Sequence, residues 1–262
     1  MVEVVGEGVD SSWIGKRVNT LPGFDQNRYG TLGEEAVVPA DVLSEHPSNL
    51  TTPQAASFWM PYLTAYGGLV WIAHVERGDF VSIPAGSSSV GLAAIQFVRN
   101  AGAVSIAGTP TAAKRDELLS LGADHVVVTG EGDYESRIGE ITGGKGVRIT
   151  FDPLGGPFLA QLAAAAAPGG IIVEYGVMSG QPAPFPVYPV IGKGLTLRGY
   201  TLSEILRNPE TAAAAKQYVS SRVADGRFVP KTAATFPLEQ TVDAHRYLES
   251  NRQLGRVVVT VP

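Results

Sequence analysis

One stretch, Phe80 to Ala101 (FVSIPAGSSSVGLAAIQFVRNA), constrains the fold of this chain most strongly. It begins with a short apolar run, Phe80 to Ile83, of the kind that buried strands use. A turn rich in glycine and serine follows, and apolar residues then recur every three or four positions, as on one face of a helix. The pattern predicts a strand that passes through a tight turn into a helix.

The turn has the chemistry of a phosphate-binding site. The first N–H groups of a helix have no partner within the helix, and the helix dipole attracts anions to that end. Gly86 and Gly91 take the first and third positions of the dinucleotide fingerprint G-x-G-x-x-G, and Ser88 replaces the second glycine. Ser89 and Val90 are expected to complete the site. A plain tight turn of an α/β protein is the alternative interpretation.

Strand-like and helix-like segments alternate through the middle of the chain. The predicted strands are Phe80 to Pro84, Ala103 to Ala107, His125 to Val128, Arg148 to Phe151, Ile171 to Tyr175 and Leu195 to Arg198. Repeated alternation requires right-handed crossovers and a parallel sheet that is covered on both faces. We therefore predict an α/β fold with a doubly wound, parallel, six-stranded Rossmann sheet. The proline-rich segment Gly180 to Gly194 is predicted to be a loop.

The two ends of the chain are predicted to contribute part of a small β-barrel. Its first strand-like pieces are Val2 to Val5, Lys16 to Val18 and Ala36 to Val38. Residues 53–73 look like one or two apolar helices, interrupted at Pro61 and loosened at Gly67-Gly68. A terminal strand, Arg256 to Val261, is expected to rejoin the N-terminal pieces.

Composition excludes several classes of protein. Twenty Lys and Arg against 25 Asp and Glu give a net charge of −5, which argues against nucleic-acid and membrane-surface partners. The sequence has no cysteine, so it contains no disulfide, thiol nucleophile or thiolate metal ligand. It has neither a signal-peptide pattern nor an apolar run of membrane-spanning length. A cytoplasmic location is expected.

The residues after the second predicted strand favour NADPH over NADH. Sites for NAD place a carboxylate there to bind the ribose 2′-hydroxyl. Here the strand ends in Ala107-Gly108-Thr109, and Lys114 and Arg115 follow. Cations and hydroxyl groups suit a 2′-phosphate, which a carboxylate would repel. An ordinary solvated helix surface is the alternative interpretation of the two basic residues.

Five motifs in order resemble those of the medium-chain dehydrogenase/reductase superfamily, within it the zinc-independent quinone oxidoreductase (zeta-crystallin-like) branch. They are VERGDFVSIPAGSSSVGLAAIQ, LGADHVV, EITGGKGV, FDPLGG and AHRYLESNRQLGRVVV. The resemblance implies a partial GroES-like catalytic domain at 1–61, an NADP-binding Rossmann domain at 62–200 and a C-terminal return to the catalytic domain at 201–262. Family members carry a longer N-terminal barrel half, so the sequence leaves open whether this chain is a fragment or naturally short.

The resemblance also implies which residues bind the cofactor. Lys114 is expected to hold the 2′-phosphate, with Thr109 beside it. The other expected positions beyond the glycine turn are Thr129, Gly155, Tyr175, Gly176 and Asn251. Family members often carry tyrosine in place of Thr129 and arginine in place of Asn251.

The residues expected at the reacting end of the cleft come from two segments. The resemblance places Thr64 and Tyr66 at the nicotinamide, with Tyr66 as the hydrogen-bond donor to the acceptor. Tyr62 and Met178 are expected in the substrate wall, and core packing is the alternative for both.

The implied protein is an NADPH-dependent, zinc-independent oxidoreductase that transfers hydride to a quinone or an α,β-unsaturated carbonyl. The zinc ligands of the alcohol-oxidising relatives include cysteine, and the four histidines here form no ligand pair, so no metal site is expected. A homodimer through the edge strand Leu195 to Tyr200 is implied as well. The alternatives are an NADPH-binding protein with little or no turnover and an NADP-dependent alcohol dehydrogenase.

Overall fold

A computed structural model describes residues 1–261 of the chain. They form the strands β1 (Val18–Thr20), β2 (Leu43–Glu45), β3 (Phe80–Ile83), β4 (Val104–Thr109), β5 (His125–Val128), β6 (Val147–Asp152), β7 (Ala166–Glu174), β8 (Thr196–Gly199), β9 (Thr232–Pro237) and β10 (Arg256–Thr260). The helices are α1 (Thr52–Ala56), α2 (Trp59–Ala65), α3 (Ser89–Ala101), α4 (Arg115–Ser120), α5 (Tyr134–Thr142), α6 (Leu159–Ala165), α7 (Val187–Lys193), α8 (Ser203–Leu206), α9 (Pro209–Ala224) and α10 (Thr241–Glu249). None of these helices has the length and apolar character needed to cross a bilayer.

The six predicted strands form one parallel sheet, which confirms the predicted fold class. Its order is β5-β4-β3-β6-β7-β8. The chain therefore winds outward from β3 in one direction and from β6 in the other. Where the order reverses, the carboxyl ends of the strands leave a crevice in which ligands of doubly wound sheets bind.

Apolar side chains cover both faces of this sheet. Val81 and Ile83 of β3 and Ile149 and Phe151 of β6 have no measurable exposure. One hydrophobic cluster joins α2, α3, α4 and α9 to the sheet, and a second joins α5 and α6. Each buried side chain of this size contributes about 1.5–3 kcal/mol, so the sheet is a rigid base for the loops at its carboxyl edge.

A π-helix over Tyr66–Ile72 continues α2 without a break. A Cβ on Gly67 would overlap the Tyr200 ring, and a Cβ on Gly68 would overlap the Phe151 ring, so the two glycines let this helix lie against the sheet. The expected interruption at Pro61 is wrong. Proline lies in the first turn of α2, where no intrahelical N–H bond is lost.

The barrel-like part consists of two separate pairs of strands in residues 1–261. β1 pairs with β2 in antiparallel fashion, and β10 pairs with β9 in parallel. The expected strands at Val2–Val5 and Ala36–Val38 are irregular, and Val4 and Val37 are 83% and 79% exposed. Val2 alone pairs with a neighbouring segment: its N–H donates to the Lys16 carbonyl oxygen at 3.0 Å, and its carbonyl oxygen accepts from the Gly15 N–H at 2.8 Å. The terminal strand pairs with β9 and not with β1 or β2, and the return of the C-terminal segment to the N-terminal domain stays a prediction.

The segment that was expected to be a loop contains helix α7. Its proline, Pro189, is the third helical residue and costs no hydrogen bond there, and Gly194 ends the helix at a φ of +61°. The helix exposes two large apolar side chains, Tyr188 (91%) and Ile191 (77%), close in sequence to the edge strand β8.

Candidate cofactor site

A serine at the N-cap of α3 holds the turn after β3. Ser88 Oγ accepts a hydrogen bond from the Gly91 N–H at 2.9 Å and donates one to the Ala85 carbonyl oxygen at 2.9 Å. The Gly86 N–H donates to the Gly108 carbonyl oxygen at 2.9 Å and ties the turn to β4. An N-cap serine contributes about 1 kcal/mol. The residue that replaces the second glycine of the fingerprint is therefore the one that starts the helix.

Close backbone approach explains why glycine occupies three positions here. A Cβ on Gly91 would overlap the Ala85 carbonyl oxygen, and one on Gly108 would overlap the Pro84 carbonyl oxygen. A Cβ on Gly86 would lie 2.7 Å from the facing side chain of β4. Gly108 is a site residue that the fingerprint does not include, and its only signal is a small residue at a strand end.

The first turn of α3 leaves backbone donors open. Within residues 1–261, no protein acceptor bonds the N–H of Ser89 or Val90, because Ser88 satisfies only Gly91. Two open N–H groups at the positive end of a helix, next to residues with little side chain, fit a pyrophosphate. The structure thus gives the predicted turn the donors that it needs.

Lys114 lies directly beside this turn. Its Nζ donates to Ser87 Oγ at 3.2 Å, to the Asn251 carbonyl oxygen at 2.6 Å and to the Gln253 carbonyl oxygen at 2.9 Å. Burial lowers the pKa of Lys114, and the nearby Glu117 partly offsets that shift. Lys114 lies beside the turn, and its three donors join the turn to the loop after α10. Its role toward a 2′-phosphate stays a prediction.

Asn251 meets the site through its backbone. It has a left-handed conformation with a φ of +54°, which asparagine tolerates better than most residues. Its carbonyl oxygen accepts from Lys114, and the Gly255 N–H donates to the Ser87 carbonyl oxygen at 3.1 Å. The loop 251–255 therefore docks on the glycine turn, and Ser87 is a second contact that the motif did not single out.

Thr109 and Thr129 lie together at the carboxyl ends of β4 and β5. The Thr129 N–H donates to the Thr109 carbonyl oxygen at 2.8 Å, and the Thr109 hydroxyl donates to the Thr111 carbonyl oxygen at 3.2 Å. Thr109 is fully buried. The residues at these strand ends, Thr109, Thr111 and Thr129, therefore offer hydroxyl groups.

Tyr175 connects the end of β7 to the glycine turn. Its ring stacks on Phe151 with 4.0 Å between ring centroids. Its hydroxyl is shielded from solvent, has no hydrogen-bond partner of normal geometry in the described residues, and faces Ser88. Burial raises the pKa of Tyr175, so the phenol stays a donor. A buried donor without a partner beside the turn is a second feature that fits a bound ligand.

Two glycines shape the neighbouring loops. Gly155 has a φ of +60°, and a Cβ there would lie 3.5 Å from the Gly176 carbonyl oxygen.

Met178 follows Gly176 in the loop after β7 and is 66% exposed, so the core-packing alternative does not hold for it. Its place in a substrate wall stays a prediction.

Tyr62 is a core residue. It is 2% exposed, its ring packs against Phe58, Phe97 and Phe228, and its hydroxyl donates to Gln96 Oε1 at 3.1 Å. The expectation that Tyr62 lines the substrate is therefore wrong. The reason is the position of Tyr62 around the helix, because it lies on the face of α2 that points toward α3.

Thr64 and Tyr66 lie on different faces of the same helix. Thr64 precedes Gly68, which packs on Phe151, by one turn, and its hydroxyl donates to the Met60 carbonyl oxygen at 2.7 Å. The Tyr66 ring packs on Tyr218 of α9 at 5.2 Å between centroids, and burial raises the pKa of its phenol. Thr64 is therefore on the side of the sheet edge, and the catalytic roles of both residues stay predictions.

Two acids that were not among the predicted site residues end β6 and β7, although one of them, Asp152, lies in the FDPLGG motif. Asp152 and Glu174 are register partners at the carboxyl ends of these strands. Asp152 is fully buried and accepts hydrogen bonds from the N–H groups of Leu154 and Gly155, both at 3.0 Å. The signal in the sequence is an acid at the end of each apolar run.

No group of three or more His, Cys, Asp or Glu side chains within residues 1–261 is arranged to hold a metal ion. The donor set of this part of the chain therefore does not fit a zinc site. Zinc independence of the reaction stays a prediction.

Comparison with known proteins places this geometry in a family. The zinc-binding dehydrogenase family matches residues 89–220 of the 262, from the first residue of α3 into α9. That span covers most of the sheet and both sets of covering helices.

Curated relatives match the chain over its whole length but are longer. A phenolphthiocerol/phthiocerol polyketide synthase polypeptide of Mycobacterium tuberculosis is 27% identical over 100% of this chain, which spans 12% of that synthase polypeptide. A 2-haloacrylate reductase of a Burkholderia species is 28% identical over 99% of this chain, which spans 78% of the reductase.

A solved structure supports the same assignment. The mycobacterial protein Rv1454c, solved in complex with NADPH, superposes with a TM-score of 0.86 at 26% identity, over 98% of this chain and 79% of its own. The family match, the reductase relative and this likeness agree with the sheet order and the glycine turn. The chain therefore belongs to the zinc-binding dehydrogenase family, in the medium-chain dehydrogenase/reductase superfamily.

Proposed function

We propose that the chain binds NADPH at the turn between β3 and α3 and belongs to a zinc-independent reductase of quinones or α,β-unsaturated carbonyls. The observation that carries this proposal is the pair of open N–H groups at Ser89 and Val90, next to three glycines at which an added Cβ would lie within 3 Å of a neighbouring atom. When bound, the nicotinamide would supply the hydride. Every other requirement falls on the residues of the protein.

Three observations support NADPH over NADH. Lys114 reaches the turn, hydroxyl groups of Thr109 and Thr129 lie at the neighbouring strand ends, and no carboxylate ends β4. A 2′-phosphate would take a hydrogen bond from Lys114 in place of the long contact to Ser87. The mycobacterial structure that binds NADPH is similar over nearly the whole chain.

The proposal gives different roles to the hydroxyl groups of Thr64 and Tyr66, which lie on different faces of the helix. Because the Thr64 hydrogen is committed to the Met60 carbonyl oxygen, its oxygen is free to accept from a carboxamide N–H and so to orient the ring. Tyr66 keeps its proton, since burial raises its pKa, and would donate to the oxygen of the acceptor as negative charge develops there.

The acceptor class follows from the donor set. Without a metal to polarise an alcohol, the described residues suit acceptors that are already electron-poor, such as quinones and enones. The reductase relative is named for a 2-haloacrylate, an activated alkene.

We also propose a homodimer through β8. This strand is an edge of the sheet, and the nearby α7 exposes Tyr188 and Ile191. An unpaired edge beside exposed apolar side chains favours pairing with a second copy.

NADPH oxidation measured with quinones, enones, simple alcohols with NADP, and no acceptor tests the proposal. We expect turnover with quinones or enones and none with alcohols. Tight NADPH binding with no acceptor-dependent oxidation would favour a binding protein without turnover. Alcohol-dependent reduction of NADP would favour an alcohol dehydrogenase.

A further inference from the structure

The carboxyl groups of Asp152 and Glu174 meet at the edge of the sheet that faces the cofactor site. The two residues are partners in the β6–β7 register, one at the last position of each strand. In a parallel sheet such partners present their side chains on the same face. The Glu174 carboxyl faces the Asp152 carboxyl, so two acids compete for one region of low polarity.

The pair holds its charge unequally. Both Asp152 oxygens accept backbone N–H bonds, from Leu154 and Gly155, which favours the ionised form of this acid. Glu174 has no such donors, and its Oε1 is shielded from solvent without a hydrogen-bond partner within residues 1–261. We therefore assign the shared proton to Glu174 and the negative charge to Asp152.

The pKa values agree with this assignment. Burial, followed by the charge of Asp152 and a hydrogen bond with it, raises the pKa of Glu174 to about 8. Burial also raises the pKa of Asp152, although the N–H groups of Leu154 and Gly155 oppose that shift. Two adjacent carboxyl groups titrate as a unit, so one proton is retained near neutral pH and lost in alkaline solution.

Within residues 1–261, the only charged group that acts on Glu174 is Asp152, and no cation offsets its negative charge. From β6 the group that faces it is Asp152. Arg198 of β8 is paired with Glu204, which lies beyond the strand in α8. The π-helix, which lies over Phe151 next to these strand ends, carries no titratable side chain except Tyr66.

The pair is linked to the glycine turn through two contacts. A carboxylate oxygen of Asp152 accepts a hydrogen bond from the Gly155 N–H at 3.0 Å, and Gly155 lies in the loop that borders the crevice. Tyr175, which follows Glu174, places its hydroxyl toward Ser88, and the charge of Asp152 acts on this phenol. The side chain of Tyr175 therefore lies between the charge on the pair and Ser88, the N-cap of α3.

We infer that Asp152 and Glu174 share one proton beside the cofactor site, and that binding of the anionic cofactor takes up this proton when the pair has lost it. A second negative charge on the pair opposes the two charges of the pyrophosphate across Tyr175. The proton passes from solvent to a Glu174 carboxylate oxygen. This inference rests on the proposed function, because it needs the cofactor at the turn.

Titration calorimetry with NADPH and NADH, from about pH 6.5 to 9.5 and in two buffers of different ionisation enthalpy, tests the inference. Near pH 8.5 we expect uptake of up to about one proton per bound cofactor, and a Kd that rises about tenfold between pH 7 and 9.5. NADH lacks the 2′-phosphate, so the same slope with NADH excludes titration of Lys114 or of that phosphate as the cause.

Glu174→Gln should remove the proton uptake and flatten the pH dependence for both nucleotides. Glu35→Gln, at an exposed position of the N-terminal region, is the matched control and should behave as the wild type. Unchanged uptake in Glu174→Gln, or a slope seen with NADPH alone, would overturn the inference. Failure of the wild type to bind either nucleotide would instead overturn the proposed function.

Discussion

Lys114 Nζ lies 2.6 Å from the carbonyl oxygen of Asn251, although the two residues are 137 positions apart in the chain. The same ammonium group reaches Ser87 in the glycine turn. One cation thus joins the turn, the start of α4 and the loop before β10. The residue proposed to select NADPH also holds the C-terminal segment against the nucleotide-binding part.

Replacing Lys114 with alanine should therefore have two effects. We expect the Kd for NADPH to rise about 10- to 100-fold, since a hydrogen bond between charged groups is worth about 1.5–3 kcal/mol. The Kd for NADH should change much less, although loss of the contact with loop 251–255 lowers the midpoint of thermal unfolding. Fluorescence titration with both nucleotides measures the difference. Arg115→Ala is the control, because it removes a neighbouring cation that does not bond the turn. Equal losses of affinity for NADPH and NADH in Lys114→Ala would refute the assignment.

Gly91→Ala should abolish nucleotide binding. The added methyl group would overlap the Ala85 carbonyl oxygen, so either the turn or α3 must shift. Gly139→Ala is the matched control: it lies inside α5, nothing lies within 4 Å of the added Cβ, and it should stabilise the fold by about 0.5–1 kcal/mol. Binding titrations and thermal unfolding of both variants check the pair, and tight NADPH binding by Gly91→Ala would contradict the proposed site.

Tyr66→Phe should lower kcat with a quinone or enone acceptor by a factor of about 100 and leave the Kd for NADPH nearly unchanged. The change removes the proposed donor and keeps the ring that packs on Tyr218. Thr64→Val, on the other helical face, should instead weaken nucleotide binding or orientation. Steady-state kinetics and cofactor titration separate the two effects, and an unchanged kcat in Tyr66→Phe would end the donor proposal.

The stability of the protein should fall as the pH rises toward 8, in part because of Glu174. Burial and Asp152 raise the pKa of Glu174 from 4.5 to about 8 in the folded chain. The contribution of Glu174 to the free energy of unfolding is fully present below about pH 4.5, where its carboxyl group is protonated in the folded and the unfolded chain. This contribution is lost as the pH rises through 8. Because the side chain is only half-buried, we expect about 1–2 kcal/mol between pH 5 and 9.

Urea unfolding at both pH values, in wild type and Glu174→Gln, measures this contribution. The variant should be the more stable protein at pH 9, and the difference should narrow at pH 5. A stability difference that does not vary with pH would show that Glu174 does not titrate in the folded state.

The sheet could be predicted because each strand is a short apolar run that ends in small or polar residues. The glycine turn could be predicted because the spacing of Gly86 and Gly91 reflects backbone contacts that permit no Cβ. The contact of Lys114 with Asn251 could not, since it depends on how α10 returns to the sheet. Helix α7 was missed because proline in a first turn costs nothing, and Tyr62 because an interrupted helix gave no reliable phase.

The acid pair shows a different limit. Asp152 and Glu174 each end an apolar strand, so both could be placed at the carboxyl edge from the sequence. That the two are register partners depends on β6 and β7 being neighbours, and their shared burial depends on the loops that cover them. The local sequence pattern therefore predicts the two strands, whereas the pairing of the two acids depends on tertiary contacts.

A crystal structure of the protein with NADPH tests the central claim most directly. We predict that oxygens of the pyrophosphate lie within about 3.2 Å of the Ser89 and Val90 nitrogens, and that the 2′-phosphate contacts Lys114. A nucleotide bound at any other place, or a turn that stays closed to it at saturating NADPH, would contradict the account.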